Sequence, residues 1–467
     1  MTLVKALAHL TWTLNQSHAR RMGERAPDGA GPDAWRNWAR TESARPRRVA
    51  RPRDVAALAA EVAAATASGT RLRAVGAGHS FSGAAVTDGV HVHLDALDRV
   101  ERVVPRPDGT THVTVGAGIR LHALNRELAA RGLAMRNLGD IDRQSVAGAI
   151  STGTHGTGAR LGGLPTQVVG LRVVTAAGDV VEASPDHEPE LFELARLGLG
   201  TAGVLAAVTL EVVPAFRLLA REEPMPLPAV LEGLDDLVDG HDHFEFFWFP
   251  HTASTLTKRN DVAQDEHLPL PRWRRALDDE LLSNVAFGAA QEVAARTARW
   301  TPHLNRFQGA SLPPRTYTAA SHDVLVSRRR VRFREAEYAV PRESVRDVVA
   351  ELASWFRATR AHVPFPLEVR FAAADDVWLS TAHGRETAYV AVQQYHRLPH
   401  GRYFEAARRI VAEVGGRPHW GKMHDLTHAD LAPLYPRLAD ANRVRGRVDP
   451  TGTFRNPYVD RVLGLPG

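Results

Sequence analysis

Cysteine is absent from the 467 residues. That excludes a disulfide scaffold, a thiolate nucleophile, a Cys-ligated zinc site, an iron–sulfur cluster and a CxxC redox pair. Redox chemistry in such a chain needs a borrowed cofactor. Lysine is scarce too: among 58 Lys and Arg residues, only Lys5, Lys258 and Lys422 are lysines. A rotatable ammonium and a planar guanidinium are not equivalent, so each lysine is a candidate for a specific role. No run approaches the roughly 20 apolar residues of a membrane span. The short apolar run before Leu14 is followed, not preceded, by Arg20, Arg21 and Arg25. A secretory signal has the reverse order, so a cytoplasmic protein without stable membrane insertion is expected. There is no HExxH zinc motif and no GxSxG nucleophile elbow, and the pairs His91/His93 and His241/His243 lack partners at ligand spacing. No metal site is expected.

What is present suits an ordinary soluble protein, with 44% hydrophobic and 24% charged residues. Single cores usually stop growing at about 250–300 residues, so two domains are expected. The net charge of +5 and the arginine-rich runs Arg45–Arg53 and Arg328–Arg334 come with acidic residues interleaved elsewhere. No nucleic-acid motif accompanies them, and no nucleic-acid partner is expected. Residues 25–33, rich in Pro and Gly, read as a linker or arm before a folded region that starts near Trp35. Short strands and helices then alternate, one helix running from Asp54 as a capping residue to Ser68 before Gly69. Beyond Pro214 the composition shifts toward aromatics and proline, as in Phe244–Pro250 and Leu268–Trp273. A second domain of strands and long helices is expected there.

Four constellations could carry chemistry. Gly76-Ala77-Gly78-His79-Ser80-Phe81-Ser82-Gly83 follows a strand, and glycines there let backbone N–H groups converge on an anion. It misses the GxGxxG fingerprint, and no clear helix follows. Gly153-Thr154-His155-Gly156-Thr157-Gly158 has closely spaced glycines that would let main chain press on a ligand. Glu368 and Arg370, two apart on a strand, share one face. In His419-Trp420-Gly421-Lys422 a rare lysine follows an aromatic and a glycine. Each has a plainer reading as turn, solvated face or core.

Taken in order, with Trp35-Arg36-Asn37-Trp38-Ala39, Asn137-Leu138-Gly139, Ser145–Ile150, Gly198–Leu205, Glu335–Pro341 and Asp449–Asn456, these pieces resemble the vanillyl-alcohol-oxidase superfamily, in particular its aldonolactone oxidase group. The likeness covers about Trp35 to Leu463. It implies an α+β protein with a two-subdomain FAD-binding (PCMH-type) domain and a cap or substrate domain whose antiparallel sheet is flanked by helices. The expected division is an N-terminal arm at 1–34, an FAD-binding domain at 35–215, a substrate domain at 216–440, and a segment at 441–467 returning to the first domain.

The same resemblance implies a covalent bond from a ring nitrogen of His79 to FAD. It places Gly76, Ala77, Gly78, Ser80, Ser145, Gly148, Gly153, Thr154 and His155 along the pyrophosphate and ribityl path, and Val204 near the adenine. Glu368, Arg370 and Lys422 would converge over the flavin ring as catalytic residues. The implied reaction oxidises a sugar CH–OH group by hydride transfer to flavin N5, with an aldono-1,4-lactone as substrate and dioxygen as acceptor, giving hydrogen peroxide. Alditol oxidase and an aldonolactone dehydrogenase using another acceptor are the alternatives. Gly139 would leave room for oxygen, Asp140 would bring an unusual charge into the substrate pocket, and Gln393 and Tyr395, with Gln394 between them, are weaker candidate substrate contacts.

Overall fold

The helix expected after Asp54 forms over Val55–Ala67: an Asp54 carboxylate oxygen accepts the Ala57 N–H at 2.8 Å, and the chain leaves through Gly69 at φ +64°. Capping and a left-handed glycine exit are what such a helix needs at its two ends. The computed structural model describes residues 34–264, 267–271, 286–310, 313–327 and 329–466. The arm at 1–34, apart from its last residue, lies outside the described residues, as do Arg328 and the end of the aromatic stretch at Trp273.

Among the described residues there are four sheets, one of them only the two-stranded pair Trp35–Arg36 and Ser43–Ala44. A small parallel sheet has Val90–His93 between Arg48–Ala50 and Leu72–Val75. A six-stranded antiparallel sheet is organised around the long strand Val204–Pro214, with Val168–Val174 on one side and Thr111–Gly116 on the other. The third is an eight-stranded antiparallel sheet in the order Arg315–Ala320, Arg217–Pro226, Ser254–Val262, His243–Trp248, Leu367–Ala372, Thr387–Tyr395, Phe333–Pro341, Arg417–Pro418. This is the α+β class expected from the sequence, with the large antiparallel sheet in the second half.

The large sheet is two-faced, and strand periodicity makes it so. Residues such as Phe244, Phe246, Val369, Phe371, Val390 and Tyr338 form one apolar face and pack in a core with helices Val345–Thr359 and Gly401–Ala412. Among the alternate residues on the same strands are the charged and polar Glu245, Glu368, Arg370, Gln393, Glu335 and Glu337, which point the other way. The C-terminal part returns to the first core: Trp420, Leu431, Tyr435, Phe454 and Val459 are buried with Leu58, Val92, Val115 and Val208. That return starts upstream of residue 441.

Candidate active site

A cleft of about 1040 Å³, open at its mouth, runs through the first half of the molecule. Gly76, Ala77, Gly78, His79 and Ser80 line it together with Ser145, Gly148, Gln144 and Val204. Gly78 adopts φ +68°, and an added Cβ at Gly76 would come within 2.4 Å of the Ser145 hydroxyl, so glycine is required at both positions. The N–H groups of Ala77, Gly78, His79 and Ser80 have no hydrogen-bond partner among the described residues. Four free donors on one turn that lines a cleft suit a phosphate-bearing cofactor. The residues present therefore fit FAD.

The His79 imidazole lines the same cleft, with its ring centroid 5.9 Å from that of Trp38. Burial, with Arg120 and Arg143 nearby, pushes its pKa down to about 4, so it is neutral at physiological pH. Burial also depresses His91 to about 4 and His419 and His424 to about 3. In the unfolded chain these groups take a proton near 6.5, and in the fold they do not until pH 3–4. Over that window the unfolded state binds more protons, so stability is lost as pH falls below about 6.5. Each such histidine costs on the order of 1 kcal/mol per pH unit inside the window. The melting midpoint is therefore expected to drop steadily from about pH 7 to pH 5, with a shallower drop in His91→Gln; a flat midpoint contradicts these assignments.

Gly153, Thr154 and His155 are not on the wall of this cleft. The Gly153 and Thr154 N–H groups donate to Ile150 O and Ala149 O, and the Thr154 hydroxyl accepts from Gln144. The loop runs along the seam between the first half and the large sheet. There the Phe371 N–H donates to the Thr157 hydroxyl and the Gly158 N–H to Phe371 O. A Cβ at Gly156 would lie 2.2 Å from Leu138 O, and one at Gly158 would lie 2.7 Å from Asp242 O. Close backbone approach, within the first half at Gly156 and across the seam at Gly158, accounts for these glycines. His155 stacks on Tyr389, ring centroids 3.4 Å apart, and its Nε2 is 3.3 Å from Glu337.

On the polar face of the large sheet the register places opposite charges side by side. Arg315, Glu222, Lys258, Glu245 and Arg370 form one row across five adjacent strands. Their contacts include Arg315–Glu222 at 2.6 Å, Lys258–Glu245 at 3.1 Å and Arg370–Glu245 at 2.8 Å. Alternating signs in cross-strand neighbours stabilise the sheet and fix each side chain's direction. Beside this row lie Glu368, Gln393, Glu335 and Glu337. Arg370 pairs directly with Glu368, and Gln393 donates from Nε2 to both Glu335 and Glu368 at 3.1 Å. Lys422 reaches Glu335 at 2.5 Å and Glu337 at 3.7 Å. Glu368, Arg370 and Lys422 thus share one face, joined through residues that the sequence reading did not single out as charges: Glu335, Glu337 and Glu245. The signal that found Glu368 and Arg370, polar residues at i and i+2 in an apolar strand, is equally present at Glu335 and Glu337.

Asp140 closes a ring with this cluster. Arg329 contacts Asp140 at 2.6 Å and Glu368 at 3.3 Å, and Arg370 approaches Asp140 at 3.6 Å. Burial alone would raise the Asp140 carboxyl, but Arg329, Arg370 and Lys422 outweigh it and hold it at about 2. Its charge is therefore neutralised inside the protein. Tyr395 points elsewhere: its hydroxyl bonds Glu292 and its ring lies in the aromatic cluster with Phe81, Phe333 and Phe365. Gln394 faces away as well, its amide donating to His362 O and Pro399 O.

His155, Glu337 and His419 bring potential ligand atoms within 4.8 Å of one another, a grouping the sequence spacing did not suggest. Hydrogen bonds account for most of it. His419 uses Nε2 with Gly153 O and Nδ1 with the Gly421 N–H, and His155 Nδ1 contacts Gly156 O.

The fold and the cleft define an FAD-dependent oxidoreductase. Residues 46–184 match the FAD binding domain family, and the structure superposes on a solvent-stable cholesterol oxidase with a TM-score of 0.74 at 18% identity, covering 94% of this chain and 100% of that one. At that identity the likeness concerns fold alone. Residues 208–462 match the D-arabinono-1,4-lactone oxidase family, and the chain belongs to it. It is 41% identical to the L-gulono-1,4-lactone dehydrogenase of Mycobacterium tuberculosis, over 92% of this chain and 99% of that one. It is 33% identical to the L-gulonolactone oxidase of Mus musculus, over 92% and 98%. No helix among the described residues is long and apolar enough to cross a membrane.

Proposed function

We propose that the protein oxidises a CH–OH group of an aldono-1,4-lactone, such as L-gulono- or D-arabinono-1,4-lactone, with FAD attached through His79 and dioxygen as the final acceptor, giving hydrogen peroxide. The observation that carries this reading is the convergence of Glu368, Arg370 and Lys422 on one charged sheet face, in a chain whose FAD-binding half supplies a donor-rich cleft. The names of the relatives support the substrate class. FAD, when bound, supplies the oxidising power for the C–H bond. The protein's part is charge and orientation. Lys422 and Arg370 place positive charge where the substrate oxygen becomes negative, an electrostatic contribution that is usually the largest single one in a site of this kind. Glu245 fixes the Arg370 guanidinium through Nε, and Arg329 and Gln393 fix the Glu368 carboxylate, so the groups facing the sugar are held before it arrives. Peroxide formation with lactones set against open-chain alditols tests the reading; turnover of alditols alone would favour the polyol alternative.

The acceptor rests on Gly139. A Cβ there would lie 2.8 Å from the Thr154 methyl and 3.1 Å from His155 O, so Gly139 is closely packed against that loop and any side chain would displace it. Gly139→Val is expected to slow reoxidation by oxygen far more than reduction by substrate, measured separately by rapid mixing. Equal slowing of both would assign Gly139 to packing alone. One specific observation favours a second reading, a dehydrogenase using another acceptor: the relative at 41% identity carries that name. An enzyme reduced fast by lactone and reoxidised slowly by oxygen would establish it.

A further inference from the structure

The oxidation of a CH–OH group releases a proton from the hydroxyl, and the cations on the sheet face cannot take it. Arg370 and Arg329 are guanidiniums, always protonated, and the Lys422 ammonium lies between two carboxylates. Of the carboxylates on this face, Asp140 is paired with Arg329, Glu245 with Arg370 and Lys258, and Glu222 with Arg315, which leaves Glu368, Glu337 and Glu335. Glu368 is ion-paired with two guanidiniums, Arg370 and Arg329, and one of its oxygens accepts hydrogen bonds from Arg329 and the Gln393 amide. Its oxygens are thus taken up by Arg370, Arg329 and Gln393 before any substrate arrives. Glu337 faces both Lys422 and the His155 ring. Glu335 is different. Among the described residues its direct ion pair is with Lys422 alone, and its other oxygen accepts from the neutral amide of Gln393.

We propose that Glu335 is the catalytic base of this enzyme, with Lys422 presenting the substrate hydroxyl to it. The inference rests on the lactone-oxidase reading and adds a role that Glu368 would otherwise hold. The backbone makes the arrangement rigid: the His419 N–H donates to Glu337 O and the Met423 N–H to Glu335 O, both at 2.9 Å, so Lys422 is strapped onto the strand from either side. The ammonium has three donors on a rotatable stem. When one turns to the substrate oxygen, Glu335 loses part of its direct ion pair and becomes more basic. The step balances: the substrate O–H bond breaks and a Glu335 O–H bond forms, while the carbon gains its C=O bond and gives up the C–H pair to the oxidant, FAD. Gln393, donating to Glu335 and Glu368 together, keeps the base beside the group that orients the sugar.

The acidities agree with this division. Burial raises the Glu335 carboxyl above its ordinary value, with Lys422 opposing and the charges of Glu337 and Glu368 adding to the rise. For Glu337 burial acts in the same direction, but Lys422 and His155 outweigh it and bring the carboxyl well below the ordinary value. Two neighbouring carboxyls driven apart in this way mark the one that exchanges protons and the one that stays charged.

The test uses the flavin-loaded full chain, mixed anaerobically with L-gulono-1,4-lactone across about pH 5–9, as wild type, Glu335→Gln and Glu368→Gln. Glutamine at 335 keeps one oxygen, for Lys422, and turns an amide nitrogen toward Gln393, so it removes the base with little change in shape at the cost of the Gln393 bond. The limiting rate of flavin bleaching is expected to fall about 10²–10⁴-fold in Glu335→Gln, the usual worth of general base catalysis. Its acid limb should vanish, while apparent substrate affinity moves by less than about threefold. Glu368→Gln is expected to keep the acid limb and lose affinity. Infrared difference spectra on reduction should show a newly protonated carboxyl in wild type that Glu335→Gln lacks. If Glu335→Gln does not fold, Glu335→Asp carries the test: slower bleaching with the acid limb retained supports the assignment, and a wild-type rate overturns it. An unchanged rate and limb in Glu335→Gln, or loss of the limb in Glu368→Gln, overturns the assignment while leaving the substrate reading intact. A wild type that no aldonolactone bleaches overturns that reading and the base with it.

Discussion

Replacing Lys422 by alanine is expected to slow substrate-driven bleaching of the flavin by about a hundred- to thousandfold at saturating lactone, the cost of removing one preorganised charge from a developing oxyanion. Sequence and structure converge on this residue. It is one of three lysines in the chain, its ammonium contacts Glu335 and Glu337 and lies 5.5 Å from the centre of the Phe81 ring, and hydrogen bonds from His419 and Met423 hold its backbone against the strand. Arginine is not a substitute, since its flat fork cannot offer a donor to each carboxylate and a third to substrate from one atom. Lys422→Arg should recover little of the rate. The loss of a cation between two buried carboxylates also costs stability, moderated because Lys422 retains about a fifth of its side-chain exposure. A melting measurement therefore belongs beside the kinetics. Arg370→Ala is expected to act in the same direction, with Glu245 and Glu368 left facing each other unpaired. Unchanged bleaching rates in both variants would remove these residues from the chemistry.

The second large effect concerns His79. In wild type the yellow chromophore is expected to stay with the polypeptide after acid precipitation, and in His79→Ala it should be released entirely. The imidazole lines the cofactor cleft, and its depressed pKa leaves it neutral, with a ring lone pair available for bond formation at physiological pH. The donor turn from Ala77 to Ser80 does not depend on the imidazole, so His79→Ala should still bind FAD reversibly. Release of flavin from the wild type would place the protein among noncovalent flavoproteins without altering the fold.

Much of this was legible in the residues. Glycine geometry and strand periodicity single out the Gly76–Gly83 turn and the pair Glu368 and Arg370 as candidates, while the flavin role of His79 and of that pair comes from the family resemblance. The eight-stranded order was not legible, because it places Arg217–Pro226 between Arg315–Ala320 and Ser254–Val262, a pairing across some 90 residues that no local pattern encodes. For the same reason Arg329 could not be connected with Asp140 or Glu368. The glycines of 153–158 were read as grips on a ligand, whereas the backbone of Leu138 and Asp242 explains Gly156 and Gly158. A glycine reports a close approach but not what approaches. Gln394 and Tyr395 illustrate the other limit: a strand's alternation separates its faces, but only neighbouring strands and helices decide what each face meets.

The central claim is that a bound flavin in this protein is reduced by an aldono-1,4-lactone. Anaerobic addition of L-gulono-1,4-lactone to the purified yellow protein, followed through the flavin absorbance, tests it most directly. Stoichiometric bleaching that saturates with lactone, and is lost in Lys422→Ala, is the expected result. A flavin that stays oxidised with every aldonolactone offered would contradict the account.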